Sequence, residues 1–176
     1  AVTLFERNPE VGRKLLVTGG GRCNLTNAAA AAEKYTCADS AWMEVMLGQF
    51  GVGDLLAMLA AMGIPTHKTD DGWYYPLSNS AQSVVEAFSS ALILAGVTLS
   101  THTRVTSIRA GGRGMVVHFN RAGREQDETF ERVIISAGGK AYPALGSRGE
   151  LFAELEQLGH TVLPKRPALA PLLADL

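Results

Sequence analysis

Three consecutive glycines at 19–21, followed at once by Arg22, Cys23, Asn24, Thr26 and Asn27, constrain this chain more than any other feature. Such a run cannot sit inside a stable helix or strand, because glycine gives up more backbone freedom on ordering than any other residue. The segment must be a turn. A turn without Cβ atoms lets a ligand approach backbone N–H groups closely, and Arg22 adds a fixed positive charge beside them. The spacing is neither G-x-x-x-x-G-K-[ST] nor G-x-G-x-x-G, so the loop alone reads equally well as a structural turn. Five polar or reactive side chains within positions 22–27 tilt it towards a site.

Two further features belong with this loop. Glu6 closes an opening strand, and in a dinucleotide-binding fold a carboxylate at a strand end accepts hydrogen bonds from ribose hydroxyls. A solvated strand-end glutamate is the plainer reading. The apolar run VIIS at 133–136 leads into Ala137, Gly138 and Gly139, a small-residue turn that would let a ligand near a sheet edge. Its continuous apolar character predicts a strand covered on both faces.

Composition narrows the classes. With 47% apolar and 19% charged residues, the chain is globular rather than disordered. Sixteen basic and seventeen acidic residues give a net charge of −1, which argues against a nucleic-acid surface. Two cysteines, Cys23 and Cys37, make neither a disulfide framework nor a four-ligand zinc site, and a reducing, cytoplasmic setting is expected. The four histidines lack partners at metal-ligand spacing, so no metal is expected. No unbroken apolar run approaches ~18 residues, and no membrane partner is expected. The opening AVTLFE reads as mid-strand and the closing PALAPLLADL as mid-run, which suggests a fragment of a longer chain.

Along the chain, residues 1–6 predict a short strand, and AAAAAEK at 28–34 a short helix or a spacer. Residues 41–62 predict two helices divided near Gly48, Gly51 and Gly53, and THKTDDGWYYP predicts a hairpin turning at Asp71–Gly72. Ser78, Asn79 and Ser80 are cap candidates for a helix carrying Val84, Val85, Phe88 and Leu92. Then VTLSTHTRVTSIRA predicts a strand pair or one bent strand, MVVHF a strand, NRAGREQDE a hairpin loop, TFERVIISAGG a third strand, and 149–159 a helix. Trp42, Trp73, Tyr74 and Tyr75 are expected in core and hairpin packing. Cys23 is read as a packed small residue or a redox thiol.

GRKLLVTGGGRCNLTN at 12–27 resembles the signature of a bacterial flavoprotein family, described as aminoacetone-oxidase-like or bile-acid-reductase-like NAD(P)/FAD-dependent oxidoreductases. LFERN, GWYYPLSNSAQSVVEA, VIISAGGKAYPALGS and PALAPL follow in the family's order, so the resemblance runs from Val2 to Leu172. It implies an α/β fold: a partial Rossmann-like FAD-binding domain over 1–172, with a helical excursion and a β-meander, and the start of an inserted domain at 173–176. The family's first strand and G-x-G-x-x-G turn have no counterpart here. The resemblance implies FAD contacts from Glu6, Arg13, Lys14, Gly20, Gly21, Arg22, Cys23, Asn24, Val105, Ala137 and Gly138. It also implies a small-molecule substrate and NAD(P)H or oxygen as electron partner, and it assigns no catalytic acid or base. The family's A-T-G-G appears as Ser136-Ala137-Gly138-Gly139, and Ser147-Arg148-Gly149-Glu150-Leu151-Phe152 departs from S-T-G-D-G-Y. The rival expectation is a non-enzymatic remnant that holds no cofactor.

Overall fold

The computed structural model describes residues 1–166 and divides the chain into two compact units, Ala1–Thr103 and the part from Arg104 onward. The PALAPL motif and the expected boundary at 172/173 lie outside the described residues. In the first unit, β1 (Thr3–Phe5) pairs in parallel with β5 (Thr98–Ser100), with Thr3 opposite Thr98. A second sheet has the order β2 (Thr26–Asn27), β4 (Trp73–Pro76), β3 (Thr66–Lys68), all antiparallel. β3 and β4 form the expected hairpin. The helices are α1 (Ser40–Gln49), α2 (Val52–Ala61) and α3 (Ala81–Leu94). Of AAAAAEK, only Ala32–Lys34 is helical, as a 3-10 turn.

The core of this unit is Cys23, Leu59, Ile64, Ala81 and Val84, with Leu15, Leu16, Leu25, Leu55 and Phe88 packed around it. Ala81, Val84, Val85 and Phe88 follow the i, i+3, i+4, i+7 spacing, so α3 turns one stripe inward. This packing fixes the glycine-rich loop, because Cys23 at its end is fully enclosed.

The helices α1 and α2 break at Phe50, whose φ of −150° and ψ of 93° are extended, and the Asp54 carboxylate accepts from the Gly51 N–H at 2.8 Å. Gly48 and Gly53 lie inside the helices rather than dividing them. The 22-residue stretch Ser40–Ala61 contains an 18-residue window long and apolar enough, by length and composition, to cross a membrane, a feature that unbroken runs alone do not register. The break leaves two ten-residue helices, each about 15 Å long against a hydrocarbon core of ~30 Å. Trp42 and Trp73, expected in packing, are exposed, whereas Tyr75 is buried.

β6 (Thr103–Gly111), β7 (Gly114–Arg121) and β8 (Arg124–Phe130) form the expected meander. VTLSTHTRVTSIRA is thus two strands, broken where His102 takes a φ of 50°. The stretch NRAGREQDE is not a loop. Its only turn is Ala122–Gly123, and its polar residues build β8, an edge strand whose ladder to β7 needs no apolar side chains. The expected third strand TFERVIISAGG ends at Phe130; residues 132–139 carry no strand assignment. VIIS is not covered on both faces either. Val133 and Ile135 line an apolar cavity of about 370 Å³ with Ile108, Met115 and Leu155, while Ile134 is 90% exposed. An extended segment alternates its faces in this way when no neighbouring strand covers both sides. The predicted helix at 149–159 is the shorter α4 (Phe152–Gln157), whose buried Glu154 accepts from the Ile108 N–H at 3.0 Å.

Candidate cofactor-binding site

Glu6 stands just past β1, held in the extended ladder by its N–H to the Ser100 carbonyl and its carbonyl to the Thr103 N–H. Its Oε1 accepts two hydrogen bonds at 2.8 Å, from the N–H and from Nδ2 of Asn8. Asn8 Oδ1 in turn accepts from Arg13 Nη1 at 3.1 Å. The structure therefore brings Glu6 and Arg13 together through Asn8, a residue the sequence reading passed over. The E-x-N spacing is the signal, since a side chain two positions from a backbone N–H closes a local turn. Lys14 is exposed at the start of the next turn.

That turn, Leu15–Gly21, is 3-10 in part and kinks at Thr18. Thr18 Oγ1 donates to the Leu15 carbonyl at 2.7 Å, and the Cys23 N–H reaches the Thr18 carbonyl at 3.1 Å. Gly19 and Gly20 hold φ of 56° and 66°. At Gly19 a side chain is also excluded by space: a Cβ there would stand 2.9 Å from Tyr75 Cε1 and 3.0 Å from the Asn24 N. Gly20 and Gly21 are exposed on the outer side of the loop. Leu25, by its N–H to the Tyr74 carbonyl, hands the chain on to β2.

Arg22 is exposed, with its guanidinium carbon 4.4 Å from the centre of the Tyr75 ring. Its Nε donates to the Gly19 carbonyl at 3.2 Å. Cys23 adopts a φ of 64° and turns its side chain into the core, not outward. Burial pushes its thiol above the ordinary range, and a hydrogen bond with Thr18 pulls more weakly the other way. Asn24 Oδ1 is buried and has no hydrogen-bond partner among the described residues. An acceptor enclosed in this way costs about 1–3 kcal/mol unless a donor reaches it. A ligand that brings an N–H or O–H donor and an anionic group fits this pair of residues, and FAD carries both.

The remaining predicted residues lie in the second unit. Val105 is half-buried on β6. Ala137 and Gly138 are exposed in the 132–139 segment, and Gly138, with a φ of 73°, lies against Ser147. Ser147 is buried and bridges to Tyr142. The departing residues have structural work: Glu150 pairs with Arg104 at 3.3 Å, and Arg148 Nε donates to the Pro143 carbonyl at 3.4 Å.

Residues 1–165 match the family model described as HI0933-like protein Rossmann domain. The chain belongs to this family. HI0933-like domains are FAD-binding Rossmann domains, so the α/β reading and the resemblance both hold. Over 97% of its length the chain is 38% identical to the 3-dehydro-bile acid delta(4,6)-reductase of Clostridium scindens, covering 41% of that protein. It is 26% identical to the ribosomal RNA dihydrouridine synthase of Haemophilus influenzae and 28% identical to that of Escherichia coli K12, covering 97% of this chain in each case and 42% and 41% of those proteins. This HI0933-like chain thus spans about two fifths of the curated relatives it matches. A solved structure titled for BexE and oxidation during BE-7585A biosynthesis is similar at a TM-score of 0.39 and 17% identity, over 73% of this chain and 24% of that one, too distant to carry an argument.

Proposed function

We propose that this chain is the central, FAD-contacting part of a flavin-dependent oxidoreductase that acts on a small organic substrate. The observation that carries the reading is the turn at 19–24, where an exposed guanidinium and a buried acceptor without a donor flank glycines in left-handed conformations. FAD, when bound, supplies the redox chemistry through its flavin ring, and the protein supplies position and electrostatics. Glu6, with Oε1 tied to Asn8, keeps Oε2 to accept from ribose hydroxyls. Arg13 and Lys14 face the phosphates, and Gly20, Gly21, Arg22 and Asn24 form the wall on the flavin side, with Cys23 backing it from the core. Val105, Ala137 and Gly138, in the second unit, are assigned FAD contacts by resemblance alone. Two free thiols accord with a reducing cytoplasm.

The nearly balanced charge and the 38% identity to a 3-dehydro-bile acid delta(4,6)-reductase favour a small molecule over the RNA named for the 26% and 28% relatives, and the resemblance adds NAD(P)H or oxygen as electron partner. Because the chain matches only two fifths of those relatives, turnover belongs to a longer polypeptide, and FAD is held weakly by these 176 residues alone. The test is a visible spectrum of the purified chain before and after incubation with FAD and desalting, followed by a fluorescence titration. Weak, saturable binding that Arg22→Ala diminishes supports the proposal. Micromolar or tighter retention makes the chain itself the flavoprotein. No binding at any concentration leaves the non-enzymatic remnant, and tight binding of ribosomal RNA overturns the small-molecule reading.

A further inference from the structure

The side chain that organises the glycine turn comes from a different element. Tyr75, on β4, is buried, and it touches the turn in three ways. The Arg22 guanidinium carbon lies 4.4 Å above its ring centre, Arg22 Nη2 donates to its hydroxyl at 3.4 Å, and its Cε1 fills the space that a side chain on Gly19 would need. The ring is itself backed from β3. His67 is its directly opposed partner in the antiparallel ladder, with ring centres 6.1 Å apart and planes inclined by 28°. His67 Nε2 lies 3.0 Å from Asn79 Oδ1, and Asn79 holds a φ of 49° in the link to α3. An unbroken set of contacts therefore runs from Asn79 through His67 and Tyr75 to Arg22 and Gly19.

We propose that Tyr75 is the positioning residue of the cofactor turn, holding the Arg22 guanidinium in one orientation at the rim of Gly19–Gly21. This rests on the flavin reading of that turn. An exposed arginine otherwise samples many rotamers, and a planar guanidinium stacked on a ring loses less freedom when a ligand arrives. Lysine cannot replace it, because a rotating ammonium has no flat face to stack. Tyr75 acts through Arg22 and need not touch the ligand.

The experiment follows the Arg22 Nε–H resonance in the ligand-free chain, then the FAD dissociation constant. The ring current of Tyr75 displaces that resonance in the wild type and in Tyr75→Phe, and Tyr75→Leu returns it to the free-arginine position. An undisplaced wild-type resonance overturns the proposal without any variant. FAD binding falls about two- to five-fold in Tyr75→Leu, falls similarly in Arg22→Ala and Arg22→Lys, and stays near wild type in Tyr75→Phe. The double variant Tyr75→Leu/Arg22→Ala binds no worse than either single. Additive losses, or Arg22→Lys binding like wild type, overturn the proposal. A wild type that binds no FAD sinks the flavin reading, and the Arg22 resonance still decides the positioning.

Discussion

Gly19 and Gly20 both hold left-handed backbone, but their surroundings differ. At Gly20 a new Cβ meets nothing within 4 Å, so Gly20→Ala pays only the conformational penalty, about 1–2 kcal/mol. At Gly19 the same change drives a methyl into the Tyr75 ring and the Asn24 backbone, so Gly19→Ala destabilises by clearly more. Urea midpoints of the two variants check the order, and equal losses would contradict the packing described for Gly19. Cys23 sets a second expectation. Its raised thiol pKa means that the folded chain holds the proton more tightly than the unfolded chain does. The unfolded state therefore releases that proton first as pH rises. Stability is fully present below the ordinary thiol pKa and declines as pH climbs through the folded value. Denaturation curves from pH 8 upward show this decline, and Cys23→Ala flattens it. Cys37, which is less buried, reacts first with a thiol reagent.

At the scale of elements, β7 and β8 turn through Ala122–Gly123, with φ of 52° and 79°. This is the type I′ pattern, which favours asparagine at the first position. Ala122→Asn should stabilise the hairpin by about 0.5–1 kcal/mol, seen as a higher thermal midpoint with the same β-sheet circular dichroism. Asp39 caps α1 by accepting from the Trp42 N–H at 2.9 Å. Asp39→Ala should cost about 1 kcal/mol. Turns and helix periods of this kind were legible in the sequence because their chemistry is local, as Asp71–Gly72 illustrates. Two elements were not. The polar stretch of β8 looks like a loop until its ladder to β7 is known, and an apolar run such as 133–136 cannot announce whether strands flank it. The candidate site divides in the same way. The glycine turn, Arg22 and Glu6 stood out, whereas the Arg22–Tyr75 contact joins residues 53 apart and needed the fold.

For the molecule as a whole, the exposed apolar surface sets its behaviour in solution. Trp42, Val45 and Phe50 are exposed around α1, and Ile93 and Leu94 at the end of α3 are 76% and 88% exposed. Patches of this kind promote association. Light scattering over rising concentration should show the mean mass growing, and Leu94→Lys with Ile93→Lys should reduce the growth. A constant monomer mass would argue against it. The pairing of β1 with β5 adds a matter of timing. Its partners, Thr3 and Thr98, sit at opposite ends of the first unit, so nearly a hundred residues of chain must be closed into a loop before their first ladder bond forms. β7 and β8 meet across two residues and can zip within about 1–10 μs. During refolding, then, the hairpin waits for the parallel pair. Until β5 docks, β1 and the Glu6 that follows it have no fixed place, so the ribose recognition proposed for Glu6 would be among the last things this chain acquires.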